Sequence, residues 1–76
     1  MEIHKEEIEI QTEFIKLDQL LKFSGIAENG AIAKEMILDG IASVNGEICT
    51  MRGKKIHSGD FVVVDFEDEV FELTVV

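Results

Sequence analysis

The sequence lacks several residue types, and each absence excludes a class of structure. It has no proline, no tryptophan, no tyrosine and a single cysteine. One cysteine cannot form an internal disulfide, which fits a reducing compartment such as the cytoplasm. No run approaches the roughly 20 apolar residues of a membrane-spanning helix, and the first residues lack the apolar segment of a signal peptide. We therefore expect a cytoplasmic protein without membrane association.

Basic side chains are also scarce, and they are unevenly distributed. The 76 residues include seven Lys and Arg against sixteen Asp and Glu, for a net charge of −9. Six of the basic residues lie in residues 16–60, where six acidic residues balance them, so the flanks carry Lys5 against ten acidic residues. Charges more than about 10 Å apart are largely screened at physiological salt. The central segment can therefore bind an anion although the chain as a whole is acidic.

The length of the chain and its reactive residues argue against catalysis. A chain this short buries roughly 60% of its unfolded surface, which leaves little room for a deep active-site cleft. The sequence shows no nucleophile–base pair and no paired carboxylates in an apolar setting. His4 and His57 are far apart and lack companions that could ligate a metal. We expect one domain over residues 1–76 that is not an enzyme and holds no cofactor and no metal.

Two segments have the apolar spacing of helices. In residues 17–23, three leucines share one face, and Gly25 follows as a residue that can end a helix. The second predicted helix begins after Asn29, whose side chain can accept a hydrogen bond from the first turn. Gly40 ends it, and Lys34 lies at the margin of its apolar face.

Shorter patterns predict strands around these helices. Residues 8–11 alternate with a period of two and predict an edge strand, and Asn45 followed by glycine predicts a two-residue hairpin turn. Residues 61–64 and 70–76 predict two further strands. Strands and helices are not interleaved as in parallel βαβ units, so the order predicts an α+β fold. We expect all five phenylalanines and Cys49 to lie in the core.

An ordered set of short motifs runs through the middle of the chain. The motifs are Lys16-Leu17-Asp18, Ala33-Lys34, Ile37, Gly40, Val44-Asn45-Gly46, Arg52-Gly53-Lys54-Lys55 and Gly59-Asp60. At these spacings residues 14–64 resemble the RNA-binding domain named after the fourth protein of the small ribosomal subunit, the S4 domain. The chain is similar in particular to small stand-alone bacterial versions of the YaaA and YbcJ type, in which the domain is nearly the whole protein.

The resemblance implies a fold and a set of RNA contacts. The fold is a two-helix αL RNA-binding motif packed on a small, bent antiparallel sheet, with RNA lying across the helices and the adjacent hairpin. The implied contact residues are Lys16, Lys22, Asn29, Gly30, Lys34, Asn45, Arg52, Lys54 and Lys55. The wider family usually has a Ser-Arg pair where Asn29 and Gly30 stand here.

These residue types suit RNA for physical reasons. A helix N-terminus carries free amides and about half a unit of positive charge, and Gly30 lets a phosphate approach the backbone. Arg52 can contact phosphate in a bidentate manner, whereas Lys54 and Lys55 are mobile point charges. None of these residues reads base edges, and the lack of Tyr and Trp leaves no evident platform for base stacking. We therefore expect recognition of RNA shape and backbone.

Two functions remain open at this stage. The first is binding of structured RNA, for which the resemblance suggests ribosomal RNA or a ribosome-assembly intermediate. The second is a protein-interaction adaptor with the same fold, because the ten acidic residues of the flanks can dock on a basic protein partner. Each lysine taken alone also fits an ordinary solvated surface charge.

Overall fold

The computed structural model describes residues 1–76 and contains two helices and seven strands. In chain order they are β1 (Glu2–Ile8), β2 (Ile15–Lys16), α1 (Leu17–Phe23), α2 (Gly30–Leu38), β3 (Ala42–Val44), β4 (Glu47–Ile48), β5 (Lys55–Ile56), β6 (Phe61–Asp65) and β7 (Glu69–Val75). Five strands form one sheet in the order β1-β7-β6-β3-β4, and β2 pairs with β5 in a separate small sheet. The predicted α+β class is confirmed.

The large sheet is mixed rather than purely antiparallel. Neighbours from β7 to β4 are antiparallel, but β1 runs parallel to β7, with Glu2 opposite Glu69 and Ile8 opposite Val75. The predicted edge strand therefore exists, but it ends at Ile8 instead of beginning there. Its bounds were wrong because most of its side chains are exposed, so apolar alternation is weak before Ile8. Hydrogen bonds to β7 define this strand.

Both helices follow the sequence prediction because local signals decide where they begin and end. The Oδ1 atom of Asn29 accepts a hydrogen bond from the amide of Ile32 at 3.0 Å, as expected of an N-cap. Gly25 and Gly40 follow the two helices with φ angles of 84° and 78°, a conformation that favours glycine. Both helices fall short of the length and hydrophobicity that a membrane span requires.

The hairpin between β3 and β4 also agrees with the prediction. Asn45 and Gly46 have φ angles of 51° and 89°. Two successive residues with positive φ angles form a type I′ turn, whose twist matches that of the paired strands.

A single apolar cluster joins the helices to one face of the large sheet. No polar or charged residue is buried. The cluster consists of Ile8, Leu17, Leu20, Leu21, Ala27, Ala33, Ile37, Ala42, Val44, Ile56, Val62, Val64, Leu73 and Val75.

The prediction that the phenylalanines form the core is wrong. Phe23 is 67% exposed and Phe61 is 37% exposed, while the other three are only partly buried. Aliphatic side chains fill the narrow interior of this small fold, and the larger aromatic rings lie at its margins. Cys49 is also only half-buried, just beyond β4, where it packs against the core cluster.

Candidate nucleic-acid interface

The loop segment 52–55, which carries three of the six predicted cations, is fixed against the beginning of α1. The amide of Leu17 donates to the carbonyl of Lys54 at 2.9 Å, and the amide of Asp18 donates to the carbonyl of Arg52 at 3.1 Å. The first amides of a helix have no partner within the helix, and the side chain of the N-cap residue Lys16 accepts no hydrogen bond from them. The loop carbonyls take that role, so capping of α1 holds the basic loop in place.

Pairing of β2 with β5 adds a fourth cation. Lys16 lies directly opposite Lys55, and Ile15 lies opposite the fully buried Ile56. Side chains at such positions have Cβ atoms about 4.5–5.5 Å apart, and like charges there are destabilising. The four cations Lys16, Arg52, Lys54 and Lys55 are here called the basic patch. The fold gathers them although two of them repel each other.

None of the Lys and Arg side chains is neutralised within the protein. All four side chains of the basic patch are exposed. The three close acid–base contacts of the whole chain involve only His4 and His57, so no Lys or Arg has a carboxylate within 4.0 Å. This holds although the chain carries sixteen Asp and Glu. The basic patch is therefore free to pair with an external anion.

Phe14 orients one member of the basic patch. The Nζ atom of Lys55 lies 4.9 Å from the centroid of the Phe14 ring, a cation–π geometry worth about 0.5–1 kcal/mol at an exposed site. The same ring lies 6.0 Å from the His57 ring. Sequence reasoning missed both contacts because it assigned Phe14 to the core. The available signal was the position of Phe14 immediately before β2, two residues from Lys16.

The predicted residues of α2 form a separate group. Asn29, Gly30 and Lys34 share no hydrogen bond or ion pair with the basic patch. The Asn29 side-chain oxygen is used as the N-cap, whereas the amides of Gly30 and Ala31 have no acceptor in the protein. A Cβ atom at Gly30 would meet nothing within 4 Å. The beginning of α2 thus presents two free amides on open backbone.

Lys22 and Asn45 stand apart from both groups. Lys22 is exposed on α1 and makes no ion pair. The side chain of Asn45 works within the protein, because its Oδ1 accepts from the Phe61 amide at 2.9 Å and its Nδ2 donates to Asp60 at 3.1 Å. These hydrogen bonds connect the hairpin to β6. One N–H of the Asn45 side chain has no partner, and its contact with RNA stays a prediction.

Asp60 is an acidic residue of the turn that follows β5. The amide of His57 donates to its Oδ2 at 2.7 Å, and this hydrogen bond, together with the one from Asn45, lowers the pKa of Asp60 below its ordinary value of 3.8. The carboxylate is therefore charged at neutral pH. Its hydrogen bonds fix the turn between β5 and β6.

A second cluster of titratable groups lies where β1 pairs with β7. His4 Nε2 is 3.1 Å from Glu69 Oε1 and 3.3 Å from Glu2 Oε2, and the His4 ring stacks on Phe71 with centroids 4.7 Å apart. Sequence reasoning found no companions for His4 because Glu69, 65 residues away, comes close only through the parallel pairing of β1 with β7. Glu2 lies two residues from His4 on the same strand. Hydrogen bonding of His4 to Glu69 is sufficient to account for this arrangement.

Comparison with known proteins finds a family and a relative. A family model described as the S4 domain matches residues 8–74. A Bacillus subtilis protein named probable ribosome maturation protein RlbA is 36% identical over 58 residues. The aligned part covers 76% of this chain and 82% of that relative.

Proposed function

The chain belongs to the S4 domain family, and from this premise we propose that it binds structured RNA through backbone phosphates at the basic patch. The observation that carries the proposal is the complete absence of ion pairs at four exposed cations in a strongly acidic chain. We propose that residues 1–76 act as one RNA-binding domain, with the contact motif in residues 14–64. The protein acts by binding rather than by catalysis.

The geometry of the basic patch favours a phosphate as its ligand. An anion between Lys16 and Lys55 would relieve the repulsion that their direct cross-strand pairing creates. Arg52 lies in the loop before β5, and its guanidinium can make two parallel hydrogen bonds to one phosphate. Because capping of α1 holds the loop, little ordering of the backbone is needed on binding.

The beginning of α2 supplies a second contact for a longer RNA. The free amides of Gly30 and Ala31 lie at the positive end of the helix dipole, and Lys34 is one turn further on. The name of the Bacillus subtilis relative refers to ribosome maturation. It supports ribosomal RNA or a ribosome-assembly intermediate in the cytoplasm as the target.

One pair of substitutions tests the proposal. Lys55→Glu should weaken binding to a structured ribosomal RNA fragment about tenfold or more, because it replaces a charged contact with repulsion. Lys5→Glu is the matched control, because it changes the net charge equally but lies on β1, opposite Glu72. It should change affinity by about twofold or less.

Fluorescence anisotropy at physiological salt measures both variants. Equal losses for Lys5→Glu and Lys55→Glu would show that total charge, and not the basic patch, governs binding.

A protein-interaction role is the second candidate, and a groove at the other end of the sheet favours it. This groove of about 640 Å³ is lined by carboxylates of Glu6, Asp68 and Glu69, has Phe66 and Phe71 among its apolar residues, and includes no Lys or Arg. A lysine or arginine from a basic protein can lay its stem on aromatic rings and direct its charge to carboxylates.

A basic partner can be tested separately from RNA. Glu6→Gln combined with Glu69→Gln should weaken binding of an arginine-rich peptide and leave RNA affinity unchanged. Glu28→Gln combined with Glu13→Gln removes the same charge outside the groove and should leave peptide binding intact. If both double variants bind the peptide equally, the groove has no such role.

A further inference from the structure

A groove lies immediately beside the basic patch, between the β3–β4 hairpin and β5. Its volume is about 630 Å³, within the range of roughly 300–1,000 Å³ that is usual for small-ligand sites. Lys54 and Lys55 contribute to its lining from one side. Ile48 and Met51 contribute from the other, and these apolar side chains are 72% and 63% exposed. The groove thus combines exposed apolar side chains with free cations.

The ring of His57 gives this groove an aromatic surface. Its side chain is 52% exposed, and the ring lies 6.0 Å from that of Phe14. The backbone of His57 is fixed, because its amide donates to Asp60 Oδ2 at 2.7 Å and its carbonyl accepts from the Asp60 amide at 3.0 Å. The lack of Tyr and Trp suggested that no stacking platform exists, but a half-exposed imidazole on a fixed turn provides one.

The polar groups of the groove favour a base over a phosphate as its occupant. The hydroxyl of Thr50 and the carboxylate of Glu47 line it, and neither has a hydrogen-bond partner in the protein. A carboxylate repels phosphate but accepts hydrogen bonds from the N–H groups of a base edge. Phosphates are therefore expected at the rim, beside Lys54 and Lys55, with the base inside.

We propose that the groove takes one unpaired base of the bound RNA, stacked on His57, while Lys54 and Lys55 hold the neighbouring phosphates. This inference rests on the proposed RNA-binding function and narrows its target. A continuous duplex cannot supply such a base, whereas a bulge or loop can splay one out. The protein therefore prefers structured RNA that contains an unpaired nucleotide next to a helix.

Two RNA hairpins that differ by a single unpaired nucleotide in the stem test the inference. The unaltered protein should bind the bulged hairpin about tenfold more tightly, as expected for one stacked base. His57→Ala should remove this preference and leave affinity for the continuous hairpin nearly unchanged. His57→Phe should keep the preference, because it keeps an aromatic surface. His4→Ala is the matched control, since His4 lies at the β1–β7 end of the sheet.

A fluorescent base adds a readout that needs no substitution in the protein. With 2-aminopurine at the unpaired position, stacking on His57 should change its emission when the unaltered protein binds, and His57→Ala should abolish the change. Tight binding of both hairpins without preference would overturn the inference and leave the RNA-binding proposal standing. Equal loss of affinity for both hairpins in His57→Ala would also overturn the inference, because the ring would then have a structural role. Binding of neither hairpin would instead contradict the proposed function itself.

Discussion

At the scale of single residues, the glycines fall into two groups. Some are required by the backbone conformation of the fold, and others would be required only for the close approach of a ligand. Gly59 has a φ angle of 95°, which residues with a side chain rarely adopt, and it lies in the turn fixed by Asp60. Gly30 and Gly53 have no positive φ, and a Cβ atom at either would meet nothing within 4 Å. Neither is required by packing, and both lie where RNA contacts are proposed.

Alanine substitutions distinguish these two kinds of glycine. Gly59→Ala should lower the free energy of unfolding by about 1 kcal/mol or more, because alanine is strained at positive φ. Gly30→Ala and Gly53→Ala should leave stability unchanged or raise it by up to about 1 kcal/mol, because they restrict the unfolded chain. Both should nevertheless weaken RNA binding if a phosphate approaches the backbone there. Urea unfolding and anisotropy measure the two effects, and unchanged RNA affinity in both variants would contradict a close approach.

Asp60 makes stability depend on pH in a defined direction. Its pKa in the folded protein lies below 3.8, chiefly because the His57 amide bonds to the carboxylate. The stability it contributes is therefore fully present above about pH 4 and is lost as the pH falls through the folded pKa. Asp60→Asn should be less stable at pH 7 by about 1 kcal/mol, and the difference should shrink toward pH 3.

Urea unfolding of the Asp60→Asn protein at both pH values checks this prediction. Glu28→Gln serves as the control because Glu28 is exposed and its side chain has no hydrogen bond. An Asp60→Asn deficit of the same size at pH 3 and pH 7 would refute the electrostatic origin.

At the scale of elements, local and non-local structure differed in how well the sequence predicted them. The helix after Asn29 and the hairpin at Asn45 were predicted because each depends on residues only a few positions apart. Parallel pairing of β1 with β7 was not predicted, since Glu2 and Glu69 are at opposite ends of the chain. The same holds for β2 and β5, which are two residues each and have no periodicity to detect.

The candidate site also has features that the sequence predicted and features that depend on non-local packing. Charge counting located the basic segment, and the motif order indicated which cations belong to it. Contact between Phe14 and Lys55 depends on packing of segments about 40 residues apart, and the groove beside His57 depends on how the β3–β4 hairpin lies against β5. Composition encodes neither arrangement. The phenylalanines were misassigned because hydrophobicity indicates burial on average but does not rank side chains by how well they fit a small core.

Capping of α1 by the basic loop predicts coupled behaviour of these elements. Ile56→Val should cost about 0.5–1.5 kcal/mol and loosen β5, because Ile56 is fully buried beside the loop. Amides of Leu17 and Asp18 should then exchange with solvent faster than the global loss of stability explains. Ile37→Val is the control, equally buried but in α2. Amide exchange measured by NMR tests this coupling. Identical protection of the Leu17 and Asp18 amides in both variants would contradict it.

At the scale of the whole molecule, an unpaired basic patch lies on a particle of net charge −9 that measures 31 × 23 × 23 Å. At physiological salt the Debye length is about 8 Å, so acidic residues across the molecule oppose RNA only weakly. At 0.01 M it is about 30 Å, comparable to the longest dimension. Repulsion from the acidic flanks then reaches the bound RNA, so binding is best analysed at 0.1 M salt and above.

The salt dependence of RNA affinity between 0.1 and 0.3 M tests the basic patch most directly. If three or four phosphates are neutralised, log affinity should fall with log salt at a slope of roughly −2 to −3. Lys54→Ala combined with Lys55→Ala should make that slope shallower by roughly 1.5, because two phosphate contacts are removed. The same slope in the double variant and the unaltered protein would show that RNA does not bind at the basic patch.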